Sequence, residues 1–399
     1  MLSLKDKLSQ VNKSVPPKTA GRAASLPGFT EVQNKFGACL YREIPLEQQV
    51  DLPGDNFVWP LLANDDRLNG FDPEHAVYLD LETNGLYLGA GAFAFLIGLG
   101  LVREGRPRLV QLFLRDPRDE RAALTEAASL LAGAGLVTYN GKCFDWPLLA
   151  DRYRFHRLSV PAVGPHLDML HPARRFYRQE LTRCGLKEVE HHVLGVMREG
   201  DIDGALIPAA YNRYLREGDT SEISTIVDHN ALDISSLFNL TLYCGRLYQS
   251  NCTCQREGEL MAVARSFLQA GAWEQAIVYL NEIASRDGIY QAEAWCLAGI
   301  IYKRRQDWPQ ALQCWEQAVV TSKAAITPLI EMAKYYEHVE HDYVQAHALT
   351  YQALQNSRFD LKKKGIKELN YRLQRLQNKL EAAAKEGDDW KTICYQNYR

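Results

Sequence analysis

Several features that would define other protein classes are missing from this 399-residue chain. Its longest apolar run, Ala92 to Val102, falls well short of the roughly 20 residues a membrane-spanning helix needs. No secretory apolar segment opens the chain, so the expected location is cytoplasmic, with no membrane partner. Nine cysteines are present but without zinc-like spacing, and Cys252-x-Cys254 has no second pair to complete a metal knuckle. That pattern excludes a disulfide scaffold and fits a reducing compartment. Cys143 is expected to pack beside Asp145 rather than to react. The formal net charge is only −3, so no global basic field announces a polyanionic partner.

What is present begins at Ala76-Val-Tyr-Leu-Asp80-Leu-Glu82-Thr-Asn-Gly85, an apolar strand ending in two carboxylates one residue apart. Strand side chains alternate faces, so Asp80 and Glu82 point the same way while Leu81 faces the opposite side. Two like charges held so close on a sheet are costly unless a cation lies between them. Two further acidic segments follow. Gly135 to Leu149 predicts a buried strand, a turn at Asn140-Gly141 and a helix with Asp145 in its first turn. Ile226 to Leu240 predicts a helix on which His229 and Asp233 lie one turn apart on one face. Four carboxylates on three separated elements match the oxygen donors that two hard cations require.

These segments resemble a known family. Asp-x-Glu at a strand end, Asn140-x-x-x-Phe144-Asp145 at a strand-to-helix turn and His229-Asn-x-x-Asp233 in a later helix are similar to the three exonuclease motifs of the DEDD superfamily (DnaQ-like). Flanking matches are Asp168-Met-Leu, Leu186 to Gly195, Asp201-Ile-Asp-Gly204 and Tyr211-x-x-Tyr214-Leu. With them the chain resembles the YprB-like bacterial exonucleases, which carry a tetratricopeptide-type tail. The resemblance implies a ribonuclease-H-like fold and two divalent ions, Mg²⁺ or Mn²⁺, held by Asp80, Glu82, Asp145 and Asp233. It also implies His229 as the group that orients or deprotonates the attacking water. One departure stands out. In the His-type branch the base lies five residues before the last Asp, where this chain has Asp228; His229 lies four before.

A local basic patch offsets the neutral whole. From Arg152 to Arg183 there are seven arginines against Asp168 and Glu180, 7 − 2 = +5, interleaved with Phe155, Phe176 and Tyr177. Guanidinium groups suit phosphates and aromatic faces suit unpaired bases. Thr83, Asn140, Lys142, Phe144, Arg174, Arg175 and Arg178 are therefore the candidate nucleic-acid contacts. The Gly-rich stretch Leu88 to Ala94 is no dinucleotide turn, because a strand follows it rather than a helix. Asn140-Gly-Lys142 lacks the upstream glycine of a P-loop, and Asp201-Ile-Asp203-Gly204 is too short for a calcium loop and is expected to form a turn.

The predicted organisation has four parts. Residues 1–26 form a mobile basic arm, and residues 27–69 an extension with a possible edge hairpin turning at Asn34 to Gly37. Residues 70–250 form the α/β nuclease domain, a ribonuclease-H-like mixed sheet flanked by helices. Its expected strands are 76–81, 92–102, 108–114, 136–139 and one near 166–170. Its helices fall near 119–132, 144–153, 186–194, 208–217 and 222–249. Residues 258–399 form an all-α domain of tetratricopeptide-like repeats, because Trp273, Trp308 and Tyr343 recur every 35 residues, as do Ala276, Ala311 and Ala346. A basic helix over 360–385 caps the stack, and a protein partner could bind its concave face.

The leading functional expectation is a two-metal 3′–5′ exonuclease, with DNA favoured over RNA and DNA repair as the setting the resemblance suggests. One alternative is an RNA-trimming or structure-specific endonuclease on the same fold. A second, from another class, is a non-catalytic nucleic-acid adaptor that recruits partners through the repeats.

Overall fold

The computed structural model describes residues 26–47, 58–85, 91–198, 200–249, 256–322, 324–357 and 363–385. It divides into two compact units, Met1–Cys252 and Thr253–Arg399.

The first unit is built on one seven-stranded mixed sheet. Its strands are β1 (Thr30–Asn34), β2 (Gly37–Pro45), β3 (Ala76–Thr83), β4 (Ala94–Arg103), β5 (Arg106–Phe113), β6 (Gly135–Thr138) and β7 (His166–Asp168), in spatial order β1-β2-β5-β4-β3-β6-β7. β1 and β2 form the edge hairpin expected from Asn34 to Gly37. Pairing is antiparallel from β1 across to β3, then parallel from β3 to β6 and β7. β3 is thus where the sheet changes direction, and crevices at the carboxyl ends of strands beside such a switch are where α/β sheets seat ligands.

Helices α1 (Val58–Ala63), α2 (Glu120–Leu131), α3 (Asp145–Phe155), α4 (Leu170–Tyr177), α5 (Leu186–Leu194), α6 (Ile207–Glu217) and α7 (Ser221–Arg246) complete the unit. Two of them, α1 and α4, were not expected. The strand predicted near 166–170 stops at Asp168, whose side chain accepts the Leu170 N–H at 3.1 Å and turns the chain into α4. The expected arm over 1–26 is described only at its last residue. Residues 1–25 lie outside the described residues, but Leu26 is buried in the core. The Gly-rich stretch 86–90 also lies outside them.

β4 is buried along nearly its whole length, as its unbroken apolar run demands. Phe95 on β4 stacks on Tyr211 of α6 with ring centroids 4.0 Å apart, and Phe113 meets both Phe95 and Tyr211 edge-on. α7 lies on β3 and β4 through residues spaced one turn apart. Asn230 sits over Gly98, Ile234 over Gly100, and Phe238 packs 4.5 Å from the Tyr78 ring. This stripe fixes the helix's rotation and turns positions 229 and 233 toward the end of β3.

Seven helices make up the described part of the second unit: α8 (Glu257–Gln269), α9 (Trp273–Ala284), α10 (Gln291–Arg304), α11 (Trp308–Thr321), α12 (Thr327–His338), α13 (Tyr343–Asn356) and α14 (Lys363–Lys385). They follow one another as hairpins. Ala264, Ala298 and Ala333 on the first helices and Ala276, Ala311 and Ala346 on the second are all fully buried, so backbones approach closely at each crossing. The aromatic residue opening each second helix is covered by a neighbour: Trp273 by Arg304, Trp308 by Tyr335, Tyr343 by Lys379. Among the described residues no helix is long and apolar enough to cross a membrane.

Candidate active site

β3 delivers Asp80 and Glu82 to one face, where α7 meets them, while Leu81 enters the core. A register shift between Glu82 and Thr83 in the β3–β4 pairing ends the regular ladder at this point, and such irregularities re-aim side chains beside functional sites. Asn230 of α7 donates through Nδ2 to Asp80 Oδ2 at 2.7 Å. Its own Oδ1 accepts from Gln111 Nε2 at 2.9 Å, so the Asp80 carboxylate is held through two buried amides. This approach requires a glycine at 98, since a Cβ there would lie 2.7 Å from the Asn230 nitrogen.

One donor atom each from Glu82, His229 and Asp233 lies within 4.8 Å of the others. His229 is buried. Its Nδ1 lies 2.5 Å from Asp201 Oδ1, and its Nε2 lies 3.4 Å from Asp233 Oδ2 and 3.8 Å from Glu82 Oε1. Asp228, the residue at the spacing of the His-type branch, instead points outward with its side chain 66% exposed, 3.9 Å from Arg42. The four-residue spacing is therefore the one that faces the acids.

The electrostatics show a deficit of positive charge. Burial pushes the Asp80 carboxyl well above the ordinary range, reinforced by Asp233 and Asp145. Burial does the same to Glu82, with Asp80, Asp233 and Asp145 adding to it. Asp145, at the start of α3, is raised to about 7 by burial and by the charges of Asp168 and Asp233, against hydrogen bonds from its own backbone and that of Leu81. Four carboxylates thus sense one another across β3, α3 and α7. A donor set of clustered carboxylates and one imidazole fits a divalent cation, which would supply the missing charge. Nucleases of this fold generally work with divalent metals.

The groups that brace this cluster lie outside the four acids and the histidine. Asp201, expected to be only part of a turn, orients His229 and is itself bound by Lys187 at 2.7 Å. Burial alone would raise its pKa, but Lys187 and His229 bring it down to about 2. Arg198 is buried and donates to Asp233 Oδ1 at 2.5 Å and to both carboxylate oxygens of Glu190, and lies 3.4 Å from Asp201. Asp168 accepts the N–H groups of Asn140 at 2.7 Å and Lys142 at 3.0 Å, fixing the loop that leads to Asp145. Ion pairs between loop residues leave no periodic trace. The available signals are the cluster of charges from Lys187 to Asp201 and the family-like segments at Asp168 and Asp201.

The candidate nucleic-acid contacts separate into two groups. Phe144 stands beside Asp145 with its ring 49% exposed, and Asn140, Arg174 and Arg178 line a cavity. Others are engaged elsewhere. Lys142 faces Asp65 at 3.6 Å, Arg175 donates to the carbonyls of Leu61 and Leu62 at the end of α1, and Thr83 Oγ1 donates to Gly85 O at 2.7 Å. Cys143 is exposed rather than packed beside Asp145.

A family model for the RNase_H superfamily matches residues 77–244, spanning β3 to α7. The chain is also 30% identical over 315 residues to a protein of Bacillus subtilis (strain 168) named "Uncharacterized protein YprB", covering 78% of this chain and 76% of that one. The match points to nuclease-type hydrolysis. With its mixed sheet, its acids at the carboxyl end of β3 and its helical second unit, the chain belongs to the YprB-like family, whose first unit is an RNase H superfamily domain.

Proposed function

We propose that this protein is a metal-dependent DEDD-type 3′–5′ exonuclease that hydrolyses phosphodiesters in the cytoplasm. Family resemblance favours DNA as the substrate and repair as the setting. The supporting observation is the convergence of Glu82, His229 and Asp233 within 4.8 Å at the end of β3, with the charges of Asp80 and Asp145 acting on Glu82. Asp80, Glu82, Asp145 and Asp233 would hold two Mg²⁺ or Mn²⁺ ions. What such ions would supply there is an activated water and a counter-charge for the leaving oxygen.

The chain's own groups do the rest. Asp201 accepts a hydrogen bond from the Nδ1–H of His229, because so strongly acidic a carboxylate stays ionised and can only accept. The Nε2 lone pair is then left facing Glu82 and Asp233, where it can take a proton from the attacking water. Arg198 keeps Asp233 oriented on α7. The 35-residue period of the second unit supports a tetratricopeptide-type array that binds a protein partner.

The test is a gel of 3′- and 5′-end-labelled single-stranded DNA and RNA with Mg²⁺, Mn²⁺ or EDTA. Metal-dependent shortening from the 3′ end, abolished in Asp80→Ala and Asp145→Ala, is expected. Cleavage of a circular single strand would replace this reading with an endonuclease. Binding without cleavage under either metal would replace it with an adaptor.

A further inference from the structure

The arginine-rich stretch between Arg152 and Arg183 is not one surface. Arg152 makes two 2.6 Å bonds to buried Glu120, Arg154 pairs with Asp151 at 2.6 Å, and Arg175 is bonded to α1 carbonyls. Arg152 and Arg175 are structural, and Arg154 is paired with an exposed neighbour on its own helix. Arg174, Arg178 and Arg183 differ, since no carboxylate among the described residues forms an ion pair with any of them. Glu180, the nearest acid in sequence, is taken by His192 at 2.8 Å. Glu188 is felt electrostatically at Tyr139 and Cys184 but does not pair with these arginines. Exposed guanidinium groups without partners are common on surfaces. These three, however, surround one cavity of about 710 Å³.

The cavity has two kinds of lining. Arg174, Arg178 and Arg183 bring cationic lining, and Tyr139, Leu170, Leu181 and Leu186 bring apolar and aromatic lining. Its rim at Tyr139 and Asn140 is the start of the loop that ends in Asp145, so cavity and acid cluster share a piece of chain. Asp168 makes that piece rigid. It binds the N–H groups of Asn140 and Lys142 on the loop and of Leu170 in the cavity wall, and is itself buried. Tyr139 is pinned as well, its hydroxyl donating to Cys184 O, another lining residue, at 2.6 Å. A preformed cavity of this size suits a small ligand. Cations together with apolar and aromatic groups around one cavity suit the two halves of a nucleotide.

We propose that this cavity is a nucleotide subsite, in which Arg174, Arg178 and Arg183 take the phosphates of a substrate segment lying 5′ of the scissile bond and the apolar lining takes its unpaired base. The proposal rests on the nuclease reading above. A base can enter such a cavity only when it is unpaired, and few base-edge partners line it, so the subsite is sequence-tolerant. It also sets a minimum length, because an oligonucleotide too short to span from the acids to the arginines forfeits these contacts.

The experiment is fluorescence anisotropy of the full-length protein with 5′-fluorescein-labelled oligothymidylates of 2 to 15 nucleotides, in EDTA so that hydrolysis cannot interfere. Affinity is expected to rise steeply at one intermediate length. The variant Arg174→Ala/Arg178→Ala/Arg183→Ala should bind the 15-mer at least about tenfold more weakly. The slope of log Kd against log salt should fall by about 2, three contacts at roughly 0.7 each. The triple lysine variant should keep most of the salt slope, which separates lost charge from lost folding. Arg154→Ala, whose partner is Asp151, should bind normally. Unchanged affinity and salt slope in the alanine variant would overturn the subsite. So would a wild-type affinity that rises smoothly with length. Arginine-dependent binding in a protein that cleaves nothing under Mg²⁺ or Mn²⁺ would instead keep the subsite and discard the exonuclease reading.

Discussion

Two buried carboxylate sites, one in each unit, have opposite charge balances. In the second unit Glu337 is fully buried on α12 and meets three cations of α14: Arg372 and Arg375 at 2.7 Å and Lys379 at 3.0 Å. Burial would raise its pKa, but Arg375 and Lys379 hold it below the ordinary range. In the first unit Asp80, Glu82 and Asp145 are raised, because the cations available, Arg198 and Lys187, are fewer than the acids. A carboxylate that only joins helices comes with its counterions. Acids gathered without enough of them leave room for a cation from solution.

The contrast can be broken most directly by pH. Asp145 has a folded pKa of about 7 against an ordinary value of 3.8. The native state therefore binds more protons than the unfolded one between these values, and metal-free stability must fall as pH rises from about 4 to 7. The full effect is up to about 4 kcal/mol at 1.36 kcal/mol per unit. Urea titrations in EDTA across that range should show it, and Asp145→Asn should make the fall shallower, with the raised Asp80 and Glu82 supplying what remains. Glu337, whose pKa is lowered, should give the opposite sign, with stability lost only as pH falls through the acid range.

Next in size is the response to metal. Mn²⁺ at about 100 times its Kd should stabilise the first unit by about 2.7 kcal/mol, read as a rise in Tm that Asp80→Ala abolishes. Glu337→Gln should leave that response intact while costing about 2 kcal/mol in urea unfolding, a figure reduced for the partial exposure of the three cations. The smallest effect belongs to Asp201→Asn. Loss of the acceptor-only carboxylate that fixes the His229 tautomer, replaced by an amide that can also donate, should lower kcat about tenfold with the Mn²⁺-induced Tm rise unchanged, whereas loss of that rise would make Asp201 part of metal binding.

Much of this architecture was legible in advance because it is periodic. The apolar runs of β3 to β6 and the helical spacing of α5 and α7 placed those elements within a few residues, and α5 was predicted as Leu186–Leu194, its observed span. Asp80 and Glu82 share a face because a strand repeats every two residues, and His229 and Asp233 do so because a helix repeats every 3.6. The unforeseen parts are aperiodic. α4 begins where the Asp168 side chain turns the backbone, and six helical residues suffice for α1. Arg175 and Lys142 read as free cations because their partners, the α1 carbonyls and Asp65, lie some 113 and 77 positions away in the chain. Asp201 and Arg198 were opaque for the same reason, since a loop's long-range pairings exist only once the chain has folded.

Gly98 carries the last consequence. Strand β4 contributes no acid, yet the bare backbone at this position is what lets Asn230 reach across to Asp80. A single methyl group, Gly98→Ala, would act as a wedge beneath the long helix and swing that amide aside while every ionisable residue stayed in the chain. Because the gap beside one hydrogen atom decides whether the carboxylates can meet, the quietest way to silence this centre is on a strand that never touches its chemistry.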